Sequence, residues 1–478
     1  MTNPFDVDLY PGRPRILFIG NPGSSHVQGW INLLSSAEFN IRLFSCTDGY
    51  PSNEWKTKTY LITKFPPKDL DADSRQSWWP MPEIWNNYNT ELNNYNAELN
   101  KHIANMNNYN AELRKYYADR EEISRIVKFL DKLTYQFFNI HPLLSKSQSD
   151  PPLLPQSNIV SPPSPPQSVT ISPEEWLADV IKIWQPDIIH TFGLDEGTDF
   201  FIRVKNQYNV SEYGKLIVNV WGGSDVAFKI FDQDSLQSIK NIFSMAADVL
   251  FDNRYYSEML ITKKVLDLEK ISSLTPYPGS GGVDVDELRS NWDGRTSHRR
   301  VILWPKAYES TWSKALPSLF ALQAVWNRIQ PCEVYMLAVN PEVRQWISTL
   351  PDDMRTKIHV LSGVPRKTVL EIMLKSRVVL APSLIDGVPN VMYEAMACGA
   401  LPIVSPIPTI KDVVSEENVI FAENLKQTDI ELSLIKAMTD DVFVDECAAR
   451  NIVLVKKLAD VKAIQPKVMA YYETLAAK

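Results

Sequence analysis

The sequence predicts an α/β protein built as two doubly wound parallel-sheet domains, the first interrupted by a long helical, coiled-coil-like insertion. Three observations predict it. Apolar runs of strand length alternate with helical segments at both ends of the chain. A heptad pattern occupies the stretch between them. The length, 478 residues, exceeds what one hydrophobic core serves.

The chain opens on Arg-Ile-Leu-Phe-Ile-Gly (15–20), a buried parallel strand by its continuous apolar run. The small-residue turn Asn21-Pro22-Gly23-Ser24-Ser25-His26 follows, then a helix over about 27–37 and a strand over 41–45. A small-residue turn between strand and helix is where phosphate is often held, which marks Gly23, Ser24 and His26 as candidates. No G-x-G-x-x-G completes the turn, which disfavours a nicotinamide enzyme.

Residues 83–140 break this alternation. Asn-Asn-Tyr-Asn-Ala-Glu-Leu occurs at 93–99 and again at 107–113, with a near copy at 86–92. Leu92, Leu99, Met106 and Leu113 recur every seventh residue, and Tyr95, His102, Tyr109 and Tyr116 follow three later. Spacing of three and four is the seam of a coiled coil. One long helix and a helical hairpin both fit. So do self-association through the seam and packing of the insertion on its own domain. Residues 141–172, rich in proline and serine, read as an extended linker. Ser172-Pro173-Glu174-Glu175 then starts a helix with good N-terminal chemistry.

Strands are expected at 187–192, 215–221 and 247–252 in the first domain (1–82 and 173–297), and at 301–304, 333–339, 357–361, 377–381, 401–405 and 418–421 in the second (298–460), with a closing helix over 461–478. The Gly-Gly-Ser-Asp loop at 222–225 sits at a strand end, where open sheets bind ligands. Asp225 is therefore a candidate for sugar or acceptor hydroxyls, with helix capping the other reading.

The most informative stretch is 377–405. A buried strand leads into Asp386-Gly387-Val388-Pro389-Asn390. A helix carrying Glu394 follows, with Pro389 expected in its first turn and Gly399 as a left-handed cap. Carboxylates accept bonds from hydroxyls, and free N–H groups at a helix start bind phosphate. The arrangement suits a polyhydroxylated, phosphorylated ligand.

This stretch resembles the donor-site signature of GT-B glycosyltransferases, in particular the retaining family 4 enzymes: a glutamate, seven residues, a second glutamate, then Ala-Met-Ala-x-Gly. Asp386 takes the first place and Glu394 the second, before Ala395-Met396-Ala397-Cys398-Gly399. The resemblance implies two Rossmann-like domains facing across a cleft, with the closing helix crossing back onto the first. It places Lys306 and Lys314 on the donor diphosphate, with the amides near Asn390 and Val391. Asp386 and the adjoining Gly387 fall on the donor sugar, and Glu394 on the ribose. Gly23, Ser24 and His26 face the donor from the first domain. Pro-Asp-x-x-His at 186–190 is similar to a motif of the family's first domain, which gives His190 a contact to donor or acceptor. Asp386, His190 and Lys314 are then closest to the chemistry. The chain departs from the family at Phe192, where a second histidine is usual, and before Lys314, where Gly-Arg is usual.

The function that follows is retaining, metal-independent transfer of a sugar from a UDP- or GDP-linked donor to a glycan, lipid-linked or protein acceptor, with no cofactor. A nucleotide-sugar epimerase or hydrolase on the same fold, and a non-catalytic scaffold acting through the coiled coil, are the alternatives. A net charge of −8 argues against nucleic-acid partners. Scattered Cys46, Cys332, Cys398 and Cys447 suit a reducing compartment. No apolar run reaches transmembrane length. A cytoplasmic protein is expected, at most peripheral at the inner membrane face.

Overall fold

The computed structural model describes residues 8–47, 55–64, 76–78, 172–221, 223–292 and 294–477, together with six positions between 94 and 112. The chain divides into two compact units, 1–80 with 168–478, and 81–167. In the smaller unit the described positions (Asn94, Ala97, Glu98, Lys101, Asn105 and Glu112) are helical and exposed. The leucine and tyrosine seam and the proline-rich linker before Ser172 lie outside the described residues.

The larger unit contains two sheets. The first is assembled from β1 (Arg15–Gly20), β2 (Asn40–Ser45), β3 (Tyr60–Ile62), β4 (Gln76–Trp78), β5 (Ile188–Phe192), β6 (Lys215–Val220) and β7 (Asp248–Phe251) in the order β4-β3-β2-β1-β5-β6-β7. Every pairing is parallel except β3 with β4. The second sheet uses β8 (Val301–Trp304), β9 (Glu333–Leu337), β10 (Ile358–Leu361), β11 (Ser376–Ala381), β12 (Leu401–Val404) and β13 (Ile420–Phe421) in the order β10-β9-β8-β11-β12-β13, all parallel. Both orders reverse direction from an inner strand, which is the doubly wound pattern and leaves a crevice at the carboxyl ends of the strands. Two strands of the first sheet, β3 and β4, escaped the sequence reading. Each has three residues, too few for a period-2 signal.

Helices close where the chemistry of their ends allows. The helix α1 (Ser25–Asn32) follows the first turn, ending short of the expected residue 37. The Ser172 hydroxyl accepts the Glu175 amide at 3.1 Å and starts α2 (Pro173–Trp184). In the second sheet region α11 (Arg366–Lys375) precedes β11, and α12 (Asn390–Ala397) follows it. Pro389 is the N-cap of α12, one place before the expected first turn. Gly399 lies just past the C-cap with φ +74°. A side chain there would also drive its Cβ to 2.5 Å from the Trp292 indole, so the position needs glycine twice over. The helices between α2 and α11 that matter below are α3 (Asp199–Tyr208), α4 (Ser224–Ala227), α5 (Gln233–Met245), α6 (Arg254–Thr262), α7 (Val285–Ser290), α8 (Ala315–Val325), α9 (Pro341–Ser348) and α10 (Asp352–Arg355). After α12 come α13 (Pro408–Lys411), α14 (Gln427–Thr439), α15 (Asp441–Ala459) and α16 (Val461–Ala477).

The chain crosses between the sheets twice, and the two crossings are joined. Val283 pairs with Asp460 in an isolated parallel bridge. From there α16 returns to the first sheet. Its Tyr472, fully buried, accepts the Trp30 indole N–H at 2.8 Å and lies 2.5 Å from His190 Nδ1. Tyr471 donates to Asp248 at 2.7 Å, and Lys215 donates to the Leu475 carbonyl at 2.6 Å. Buried polar groups are costly without partners, so these bonds fix where the helix lands. Replacing Tyr472 by Phe strands the Trp30 N–H in the interior. Tyr472→Phe should lower unfolding stability by about 1–3 kcal/mol, read as a reduced urea midpoint; an unchanged midpoint would show that the hydroxyl does not anchor α16.

Candidate functional site

The strand ends of the two sheets face one another around a cavity of about 580 Å³. From the second sheet come Lys306, Asp386 and the start of α12. From the first come His26, Trp221 and Asp252.

Lys306 follows β8, and its Nζ makes an ion pair with Asp386 Oδ2. Ser383 Oγ donates to the same carboxylate oxygen at 3.2 Å. Burial alone would lower the lysine's pKa, but the charge and hydrogen bond of Asp386 outweigh it and raise the pKa above the ordinary value. Lys306 is therefore a firm cation at neutral pH. The Asp386 backbone is fixed by Thr409, whose hydroxyl donates to its carbonyl at 3.0 Å.

Glu394, about a turn into α12, is 9% exposed. Its Oε1 accepts from Arg366 Nε at 2.9 Å and Nη2 at 2.6 Å. Arg366 is the first residue of α11 and lines the cavity, a cation that sequence reasoning passed over. Nothing in the linear pattern brings residue 366 to 394; the parallel crossover does.

Lys314 takes a different position from the one expected. It pairs with Glu309 at 3.0 Å and is not among the cavity-lining residues. Glu309 also accepts the Ala315 amide at 3.0 Å, and Asn424 accepts the Lys314 amide at 2.8 Å. These contacts fasten the loop that starts α8.

Asn390 ties the two sides together. Its side-chain oxygen accepts the Ser280 amide at 3.0 Å, and its Nδ2 lies 3.3 Å from His26 Nδ1. His26 packs on Trp221, with ring centroids 5.1 Å apart. Desolvation lowers its pKa, against a smaller opposing effect of a backbone bond to Gly279, so the ring is neutral at pH 7. Asn390, Val391 and Gly387 line the cavity with His26, whereas Gly23 and Ser24 do not; Ser25 takes their place.

His190 and Asp225 sit behind the lining. His190 is 0% exposed, stacked on Phe192 at 4.9 Å, and burial drives its pKa down to about 3. Phe192, the residue at the family's second histidine position, is thus part of the same interior stack. Asp225 is 2% exposed, and its Oδ2 accepts the Trp221 amide at 2.9 Å, clasping the loop that carries the indole. Neither the hydroxyl-binding nor the helix-capping reading describes that contact. Burial raises the Asp225 pKa to about 7, against the smaller lowering effect of backbone bonds from Trp221 and Leu194.

Among the described residues, no three His, Cys, Asp or Glu side chains are grouped to hold a metal ion, and no helix is long and apolar enough to cross a membrane.

Residues 352–452 match the family model described as glycosyl transferases group 1. That span contains Arg366, Asp386 and Glu394. Solved structures similar to the whole chain include HepE of Anabaena in complex with UDP-glucose, at 11% identity and TM-score 0.57, covering 97% of this chain and 99% of that one. Sucrose-phosphate synthase from Thermosynechococcus elongatus matches at 12% identity and TM-score 0.58, over 97% and 100% of the two chains. TarM matches at 11% identity and TM-score 0.57, over 98% and 100%. The fold is GT-B. No curated protein matches the sequence.

The buried Asp225 sets a pH test. Its folded pKa, about 7, is above its unfolded value, so the native state holds a proton that the unfolded state releases. That contribution to stability is complete below the unfolded pKa and is lost as pH rises through about 7. Asp225→Asn keeps the acceptor oxygen and cannot ionise. It should melt above the wild type at pH 8, by a margin that shrinks toward pH 5; a margin independent of pH would refute the buried-carboxyl assignment.

Proposed function

We propose that the protein is a retaining glycosyltransferase that moves a sugar from a nucleotide-diphosphate sugar to a glycan, lipid-linked or protein acceptor, without a metal. The observation that carries this reading is the convergence of Lys306, Asp386, Glu394 and the start of α12 on one cavity between two GT-B sheets. Two further facts support it. Residues 352–452 match the group 1 glycosyl transferase model, and the similar HepE structure holds UDP-glucose.

Transfer breaks the bond between the anomeric carbon and the donor phosphate oxygen, and forms one to an acceptor oxygen. Negative charge grows on the departing diphosphate. Lys306 and the free amides at Asn390 and Val391 meet that charge. Glu394 accepts the ribose hydroxyls and is aimed by Arg366. Asp386, with the adjoining Gly387, holds donor-sugar hydroxyls so that the reacting carbon faces the acceptor. The leaving phosphate takes the acceptor proton, which requires no second carboxylate. His26, neutral at pH 7, contributes a ring nitrogen to the donor side. His190 and Lys314 act through structure, the first under Tyr472 and the second through Glu309.

Cys332, Cys398 and Cys447 are free thiols, which suits a cytoplasmic site of action. A lipid-linked acceptor would be met peripherally at the inner membrane face. The 83–140 segment is the part we assign to self-association or to a helical partner.

A panel of UDP- and GDP-sugars should include one from which the protein releases the nucleoside diphosphate. With that donor, Lys306→Ala should lower kcat/KM about 100-fold, because it removes charge stabilisation at the leaving group. Glu394→Ala should raise the donor KM about tenfold through the lost ribose contact. No release from any donor, or full activity in Glu394→Ala, would overturn the reading.

A further inference from the structure

The loop that carries Asp386 is shaped from the opposite side of the cleft. Asp252 directly follows β7, at the carboxyl end of the first sheet, and is 8% exposed. Its Oδ2 accepts the Val388 amide at 3.3 Å, and its Oδ1 accepts Asn253 Nδ2 at 2.6 Å. Asn253 is itself 1% exposed and held in place, because its Oδ1 caps α6 by accepting the Tyr256 amide at 2.9 Å. The carboxylate is therefore mounted firmly on its own side and reaches into the other.

Gly387 is what lets it in. A Cβ at Gly387 would lie 2.0 Å from Asp252 Oδ2, and the three nearest atoms all belong to Asp252. Gly387 is absent from the positive-φ positions, so its backbone would accept alanine. The nearest obstacle to a side chain there is Asp252. On the neighbouring residue, a Cβ at Gly223 would lie 2.9 Å from the Asp386 Cα. Two loops of the first sheet thus press on 386–388 from outside the domain that carries it.

We propose that Asp252 is a positioning residue for the donor sugar. By gripping Val388 and lying against Gly387, it sets the orientation of the loop from which Asp386 meets the sugar hydroxyls. The proposal rests on the donor assignment made above. It divides the donor in two. Glu394 and Arg366 belong to the second sheet and serve the nucleotide without help from Asp252. The sugar is held well only when Asp252 is seated.

Titration with UDP and with UDP-glucose separates these halves. Asp252→Ala should bind UDP within about twofold of the wild type and UDP-glucose about tenfold more weakly, the effect of releasing the charge-assisted hydrogen bond to Val388. Asp252→Asn, which keeps an acceptor oxygen, should recover most of the loss. Gly387→Ala should imitate Asp252→Ala, and the double variant should be no worse than Gly387→Ala, because the Cβ then meets no carboxylate. Equal losses for both ligands, no loss for either, or additive losses in the double variant would overturn the proposal. Amide exchange of the ligand-free protein supplies an arm independent of the donor. The Val388 amide should exchange at least tenfold faster in Asp252→Ala. If the wild type binds neither ligand, the UDP-linked form of the donor reading fails on that result, while unchanged exchange at Val388 defeats the Asp252 contact itself.

Discussion

The site depends on an ion pair placed where two sheets end. Lys306 and Asp386 are both largely withdrawn from water, with side chains 28% and 20% exposed. Taking two charges out of solvent costs free energy that their attraction only partly returns, and such pairs are rarely worth keeping for stability alone. Here the pair holds a permanent cation and a carboxylate a short distance from free helix amides. Under the proposed function, a diphosphate that approaches Lys306 meets charge already in position. A sugar that approaches Asp386 meets an acceptor whose backbone is pinned by Thr409 and whose side chain is pinned by Ser383. Preorganisation of this kind lowers the reorganisation needed when charge develops.

That arrangement needs two separate pieces of chain to stay in register. The bridge between Val283 and Asp460 joins the crossings, and α16 bolts the far end of the chain to the first sheet through Tyr472. At the cleft itself the contacts are finer. Asn390 reaches Ser280 and His26, and Asp252 reaches Val388. Glycines at 223 and 387 permit this closeness. The cavity is a product of domain placement as much as of the donor motif.

The sequence carried the fold well because the inner strands of both sheets are buried on their two faces. Strands such as Phe18's and Leu380's then read as unbroken apolar runs, and the turn residues fall between them. The 386–394 stretch was legible for a related reason: Asp386, Gly387, Asn390 and Glu394 lie within nine residues, so one loop and one helix start place them all. What the sequence did not reveal were contacts that depend on distant partners. His190 stands near a strand end, like a ligand-binding residue, but Tyr472 covers it from 282 positions away. Lys314, expected on the diphosphate, pairs with Glu309. Arg366, Trp221 and Asp252 gave no local signal, since none belongs to a motif and only the crossovers bring them to the cavity.

The central claim is that the cleft between the sheets binds a sugar nucleotide through the start of α12. Amide hydrogen exchange with and without UDP-glucose tests it where it lives. Protection should rise over 386–394 and 25–30, on both walls of the cavity, with no change in α5 on the outer face of the first sheet. Protection confined to other parts of the chain would contradict the account, as would a protein that binds the ligand with no change at 386–394.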